Sequence, residues 1–201
     1  MCFARFSPRL TAFFLDLIIL GIPYLFILSI FIFPIFISEE ILQLMSQQKL
    51  TEESLKVFYN SAIKIEIVMI FTWGAISALF ISSNIKATPG KKIMKLQVVN
   101  KDNSKLKFFP ALGRVIALPL IILTLQTPER YMVYEKLDKT RQEISNQMEL
   151  ASYLQTPISS LTNILTLVLI SFWYLNITRD SQRRAFHDIL FDTRVIYVEE
   201  R

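Results

Sequence analysis

Long apolar runs alternate along this chain with shorter segments that carry most of its charge. A helix crosses the hydrocarbon core of a membrane, about 30 Å thick, with roughly 20 mostly apolar residues. Four runs have this character, and we place the predicted helices at residues 10–37, 62–85, 108–126 and 157–177. The pattern therefore predicts an all-α integral membrane protein with four transmembrane helices.

The first and third runs each contain one charged residue well inside their apolar stretch. Asp16 is the only charge in the first run. The third run is the weakest of the four, because it includes Arg114 and has Pro119 near its middle. We expect this third helix to be short and kinked, since proline removes a backbone hydrogen bond.

The composition fits a membrane protein and excludes other classes. Hydrophobic residues make up 52% of the chain and include 16 Phe, more than an ordinary soluble domain carries. Cys2 is the single cysteine, so we expect no internal disulfide, no metal site and no cofactor. The apolar run after Arg5 and Arg9 is about twice the length of a secretory signal and lacks a small-residue cleavage pattern. We expect it to be retained.

The distribution of Lys and Arg predicts an orientation. Four crossings place the N-terminus, the loop 86–107 and the tail on one face, with 14 basic residues. The outer segments 38–61 and 127–156 hold six basic residues and nine acids. Because cytoplasmic loops retain positive charge, both termini are predicted to be cytoplasmic. The seven lysines of the loop could also bind anionic lipid headgroups, although topology alone accounts for them.

The non-membrane segments predict a small β element and one further helix. Alternating apolar positions over 94–99 and 106–108, with turn residues at 100–104, predict a cytoplasmic hairpin. Thr193–Val198 is β-branched and aromatic, so we expect it to add a third strand. On the outer side, residues 129–149 contain no Gly or Pro and predict a helix.

Four short motifs resemble the RDD family of bacterial membrane proteins, which is named for an arginine at the start of its first helix and two aspartates. The matching positions are Arg9 and Asp16 in R-L-x-A-x-x-x-D, Thr88, Pro89, Gly90 and Lys91 in T-P-G-K, Arg114 in the next helix, and His187 and Asp188 in the closing R-x-x-x-H-D. The resemblance implies a multi-pass protein of the bacterial plasma (inner) membrane. It also implies that Asp188 is the second aspartate, and cation or proton-coupled transport has been suggested for some members.

Asp16 and Arg114 are predicted to form an intramembrane pair. Each lies six residues inside its helix, a depth of roughly 9 Å at 1.5 Å per residue. An unpaired charge at membrane depth costs on the order of 3 kcal/mol, which favours pairing. Arg9 is the competing partner of Asp16. The pair would serve either as a cation or proton site or as a structural clamp.

Asp188 is expected to cap a short tail helix or to accept hydrogen bonds from the T-P-G-K turn. His187 is the only histidine, and no serine is placed beside it for a catalytic triad, so an enzyme is not expected. The short loop also lacks any nucleic-acid-binding module.

Two function classes remain open. The first is a small transporter, which we expect to be a homo-oligomer because four helices leave little room for a pathway. The second is a non-transporting scaffold or assembly partner whose hairpin and tail dock another protein.

Overall fold

The computed structural model describes residues 2–32, 52–139 and 157–198 of the chain. Within these ranges, four helices are long and apolar enough to cross a membrane. They lie at Phe6–Phe31, Asn60–Ser82, Phe108–Pro128 and Leu161–Arg179. Many large apolar side chains on these helices are exposed, including Phe14, Phe26 and Leu167, as expected of a surface that faces lipid. The prediction of four membrane-spanning helices is confirmed by length and composition.

The described elements follow one another in a mainly helical order. They are α1 (Phe6–Asp16), α2 (Ile22–Ile27), α3 (Glu52–Ser82), α4 (Pro89–Ile93), β1 (Leu96–Asn100), α5 (Phe108–Lys139), α6 (Pro157–Arg179), α7 (Phe186–Leu190) and β2 (Thr193–Tyr197). Proline occupies the first position of α4, where its missing N–H costs no helical hydrogen bond.

The first membrane helix contains two π-helical turns, at Leu17–Gly21 and Leu28–Ile32. The first of these turns follows directly after Asp16, the last residue of α1. Wide turns of this kind occur mostly as single insertions in α-helices and are frequent at functional sites.

A two-stranded sheet replaces the predicted hairpin, which is wrong. β1 pairs antiparallel with β2, with Val98 opposite Val195. The other edge of β1 is already used, because the Val98 N–H donates to the Lys86 carbonyl and the Asn100 N–H donates to the Ser104 carbonyl. Residues 106–108 therefore form no strand and lead into α5.

The tail strand instead pairs with the N-terminal segment on its second edge. The Ala4 N–H donates to the Val195 carbonyl at 3.0 Å, and the Tyr197 N–H donates to the Cys2 carbonyl at 3.1 Å. Phe3 forms an isolated bridge with Ile196. The tail strand β2 is thus hydrogen-bonded to the N-terminal segment on one edge and to the loop strand β1 on the other.

The third membrane helix is longer than predicted. α5 is continuous through Pro119 to Lys139, so residues 129–139 extend it and do not form a separate outer helix. The rest of the predicted outer helix, residues 140–149, lies outside the described residues, as do most of segment 38–61 and residues 140–156.

The chain forms two compact units. The first comprises Met1–Phe26, Ile70–Leu120 and Val168–Arg201, and the second comprises Ile27–Met69 and Ile121–Leu167. The core of the first unit is a buried cluster from the N-terminal segment, α1, α3, α5, the two strands and the segment between β1 and α5, including Ala12, Ile81, Leu96, Leu106 and Val195. In the second unit, Glu66 forms an ion pair with Arg130.

Candidate functional site

Asp188 lies at the centre of a buried ionic cluster in the first unit. Its side chain is completely buried, and its Oδ2 accepts a hydrogen bond from Arg9 Nη1 at 2.7 Å. Its Oδ1 accepts two hydrogen bonds from Arg114, at 2.9 Å from Nε and 2.7 Å from Nη2. Because an arginine fork fixes both distance and direction, this pairing holds α5 firmly against the tail.

Two further donors form hydrogen bonds with the Asp188 carboxylate. The Thr193 hydroxyl donates to Oδ1 at 3.1 Å, and the backbone N–H of Ala185 donates to Oδ2 at 3.1 Å. The second bond caps the start of α7, which is the first of the two roles expected for this aspartate, whereas the Thr88 hydroxyl and the Gly90 N–H of the T-P-G-K turn donate to Asp16. The donors to Asp188 and the two guanidinium groups outweigh the cost of burial and hold the pKa of Asp188 well below its ordinary value.

Arg9 connects this cluster to backbone on both sides. Its Nη2 donates to the Arg183 carbonyl at 2.6 Å, and its Nε donates to the Ala4 carbonyl at 3.2 Å. One guanidinium therefore fastens the start of the first membrane helix to the segment that follows the last one.

His187 lies beside the cluster as a neutral side chain. Trp173 Nε1 donates to His187 Nδ1 at 2.7 Å, and the two rings stack with centroids 6.2 Å apart. Burial lowers the pKa of His187 from 6.5 to about 3, and the nearby Asp188 only partly opposes this shift. At neutral pH, His187 Nδ1 therefore carries no proton and accepts the hydrogen bond from Trp173.

Asp16 forms a second and separate network with the T-P-G-K segment. Its Oδ1 accepts a hydrogen bond from the Gly90 N–H at 2.7 Å, and its Oδ2 accepts one from the Thr88 hydroxyl at 2.5 Å. Lys91 completes the set, with Nζ 3.6 Å from Asp16 Oδ2 and 3.1 Å from Thr88 Oγ1. The side chain of Asp16 is 7% exposed and that of Lys91 is 19% exposed. Burial lowers the pKa of Lys91 to about 8, although Asp16 opposes the shift.

Gly90 allows this network to form because α4 approaches α1 very closely. A Cβ atom at position 90 would lie 2.7 Å from the Asp16 nitrogen and 2.9 Å from its Oδ1, and it would also collide with the Ala12 carbonyl. Only a residue without a side chain leaves room for the backbone N–H to reach the carboxylate.

The chain contains all four motifs in the order that the RDD family shows, and the RDD family profile matches residues 3–192. The chain belongs to the RDD family. No curated protein and no solved structure matches it. Arg9, Asp16 and Asp188, which the sequence comparison above matched to the family's arginine and two aspartates, are the residues that organise the two networks of this RDD protein.

The predicted contact between Asp16 and Arg114 is wrong. In this RDD protein Arg114 binds Asp188, and Asp16 binds Thr88, Gly90 and Lys91. The equal depth of Asp16 and Arg114 would have allowed them to pair. Each instead binds a partner from outside the spans: Arg114 binds the tail, and Asp16 binds the T-P-G-K segment. Arg9 likewise pairs with Asp188 and not with Asp16.

Thr193, the Ala185 N–H and Trp173 belong to the RDD site but were absent from the predicted set. Thr193 was included in the predicted tail strand, and the strand character of that segment hid the polar role of the hydroxyl. Among the described residues no group of three or more His, Cys, Asp or Glu side chains is placed to hold a metal ion.

Proposed function

We propose that this RDD protein transports small monovalent cations across the plasma membrane, with Asp16 as the binding carboxylate. The observation that carries the proposal is the ammonium of Lys91, a cation already held between two oxygen atoms, Asp16 Oδ2 and Thr88 Oγ1. A small cation that displaced this ammonium would meet a carboxylate and a hydroxyl oxygen, which are hard ligands suited to it. The single negative charge of the Asp16 carboxylate balances one positive charge, which favours a monovalent cation.

The Lys91–Asp16 pair is the most easily exchanged ion pair of this site. Its N–O distance of 3.6 Å exceeds the 2.7 Å of both arginine pairs at Asp188, and Lys91 is more exposed than Arg9 or Arg114. Lysine is a single point charge and lacks the two-pronged geometry of arginine. The π-helical turn that begins at Leu17 gives the helix beside Asp16 an irregular backbone, as is frequent at functional sites.

The orientation is also part of the proposal: both termini face the cytoplasm of a bacterium. Two observations support it. β2 is hydrogen-bonded to the N-terminal segment and to β1, which suits a common side of the membrane. The N-terminus, the loop 86–107 and the tail also carry 14 basic residues, as cytoplasmic segments do. A reporter fused after residue 201 should be active only if it stays inside the cell.

A homo-oligomer is proposed because four helices provide little room for a pathway within one chain. Light scattering of the protein in detergent, corrected for bound detergent, measures the mass directly. A mass equal to one chain under conditions that support flux would contradict this part of the proposal.

Flux measurements on purified protein in liposomes test the transport proposal. Wild-type protein should carry sodium or potassium down an imposed gradient, and Asp16→Asn should abolish the flux because the binding charge is lost. Asp192→Asn is the matched control, since it removes one exposed carboxylate from the same unit and should leave flux unchanged. Absence of flux in folded wild-type protein with both cations would refute transport.

Lys91→Gln sharpens the same test. Removing the competing ammonium while retaining Asp16 should lower the cation concentration needed for half-maximal flux. If Lys91→Gln instead behaves like Asp16→Asn while remaining folded, the ammonium is not a competitor of the cation.

A scaffold role is the second candidate, and the Asp188 cluster favours it. Arg9, Arg114 and Asp188 join the N-terminus, α5 and the tail into one rigid unit that could present the sheet to a partner protein. This candidate predicts no Asp16-dependent flux. It also predicts that substitutions at the exposed position that follows β2, Val198, disrupt function while the protein remains folded and inserted.

A further inference from the structure

A surface pocket of about 400 Å³ lies where the N-terminal segment meets the tail. It is separate from both aspartate networks. Its lining residues are Cys2, Phe3, Arg5, Ser181, Arg183 and Tyr197. The pocket therefore combines two arginines with two hydroxyl groups and aromatic surface, and none of the lining residues within the described ranges is acidic.

The pocket lies beside the ends of two membrane-spanning helices. Arg5 directly precedes Phe6, where the first span begins, and Ser181 follows Arg179, where the last span ends, by two residues. At 1.5 to 3.5 Å per residue, these separations place the pocket at the depth of lipid headgroups. Exposed Phe6 and Leu10 continue from it along the first helix as a lipid-facing surface.

The backbone fixes Arg183 toward this pocket. Arg183 has a left-handed backbone conformation with φ of 52°, and its carbonyl accepts the hydrogen bond from Arg9. Its Nη1 donates to the Phe3 carbonyl at 3.3 Å, which uses one of the five guanidinium donors. The remaining donors are available to an anionic ligand, and Arg5 is an exposed second guanidinium on the same pocket.

Asp180, the described acid that directly precedes Ser181 in the tail, does not neutralise these arginines. Asp180 is bound by Arg184 through both of its oxygens, at 3.1 Å each, and it also accepts the Gln182 N–H. The pairing with Arg184 holds the pKa of Asp180 below its ordinary value. The described lining of the pocket thus carries a net positive charge, and planar guanidinium groups match the geometry of a phosphate.

We propose that this pocket binds the phosphate group of an anionic phospholipid from the adjoining leaflet. The charge, the depth and the apolar rim each suit such a lipid. Part of the lysine-rich loop is already occupied: Lys86 donates to Asn103, Lys91 pairs with Asp16, and Lys105 donates to Asn84. The arginine pocket is accordingly a more specific lipid site than the loop.

Native mass spectrometry of the full-length protein in neutral detergent can count retained lipids. Wild type should retain phosphatidylglycerol in preference to phosphatidylcholine. Each basic residue near a membrane surface contributes roughly a fivefold gain in affinity for anionic lipid, so Arg5→Gln with Arg183→Gln should weaken retention by about 30-fold. Lys101→Gln with Lys107→Gln is the matched control, because it removes the same charge from exposed positions outside the pocket and should change retention little.

If the double variant fails to fold, the single variant Arg5→Gln still tests the proposal, because Arg5 is exposed and its replacement should not disturb folding. Arg5→Gln should weaken retention of phosphatidylglycerol about fivefold. Equal losses in the pocket and loop variants would overturn the proposal in favour of diffuse charge attraction. Equal retention of phosphatidylcholine would also overturn it. Displacement of the lipid by millimolar inorganic phosphate, with the same dependence on Arg5, would show a free-anion site in place of a lipid site.

Discussion

The two aspartates at the centres of the two networks, Asp188 and Asp16, share a residue type and differ in their charged partners and solvent access. Asp188 is completely buried and is bound by two arginines, a hydroxyl and a backbone N–H. Asp16 likewise binds one hydroxyl and one backbone N–H, but it is slightly exposed and its only charged partner is one lysine at a longer distance. The kind of charged partner and the solvent access therefore distinguish the two sites, and the transport proposal rests on this difference.

Loss of the Asp188 charge should give the largest effect. Asp188→Asn leaves two buried guanidinium groups without their counter-charge, and breaking such a cluster costs about 3–5 kcal/mol. The variant should therefore fail to accumulate in the membrane or should unfold at a much lower temperature in detergent. Asp192→Asn is the control, because Asp192 is exposed and Asn tolerates its positive φ. Similar stability of the two variants would contradict a clamp role for Asp188.

Closing the gap at Gly90 should give the next largest effect. Gly90→Ala places a methyl group against the backbone of Ala12 and Asp16, which cannot move as a flexible side chain would. Overpacking of this kind costs about 1–3 kcal/mol, measured as a lower unfolding temperature, and flux should fall with it. Gly21→Ala is the matched control, because its nearest contact is the flexible Leu17 side chain at 3.2 Å. An unaffected Gly90→Ala variant would show that α4 need not touch α1.

Asp16→Asn should destabilise the protein less than Asp188→Asn does. The amide oxygen can still accept the Gly90 N–H, while the ion pair with Lys91 is lost, a cost of about 1–2 kcal/mol. Thermal unfolding in detergent measures this difference. If Asp16→Asn lowered the unfolding temperature as much as Asp188→Asn does, both aspartates would have a structural role and the contrast between them would be wrong.

Acid should weaken the Asp188 cluster through its neighbour His187, the smallest of the four effects near neutral pH. Between about pH 6.5 and 3 the unfolded chain binds a proton on His187 that the folded chain does not. The free energy of unfolding should therefore fall as pH is lowered below 6.5, by up to about 1.4 kcal/mol per pH unit. Below about pH 4, protonation of Asp188 in the unfolded chain adds to this loss, because its folded pKa is depressed.

His187→Gln isolates the histidine contribution. Its amide oxygen can accept the Trp173 indole N–H, and it does not titrate. Unfolding temperatures measured from pH 7.5 to 4.5 should lose their slope in this variant. A slope that persists unchanged would assign the acid sensitivity to another group.

The sequence was most informative where the physics is local. Hydropathy over about 20 consecutive residues is enough to identify a membrane-spanning helix, and all four helices were predicted in this way. The capping role of Asp188 was also predictable, since its partner Ala185 is only three residues away. The hairpin was wrong because alternation of apolar residues identifies a strand and does not identify its neighbour. β1 pairs with residues nearly a hundred positions later.

By itself, the sequence determined that this is a four-helix membrane protein of the RDD family with an acid inside its first span. Only the tertiary structure decided which charges meet. Arg9 and Asp188 are 179 residues apart, and Arg114 and Asp188 are 74 apart. The hydropathy of a membrane span is a sum over consecutive residues, so it can be read directly along the chain. An ion pair depends on the positions of a few atoms, which the packing of distant segments sets.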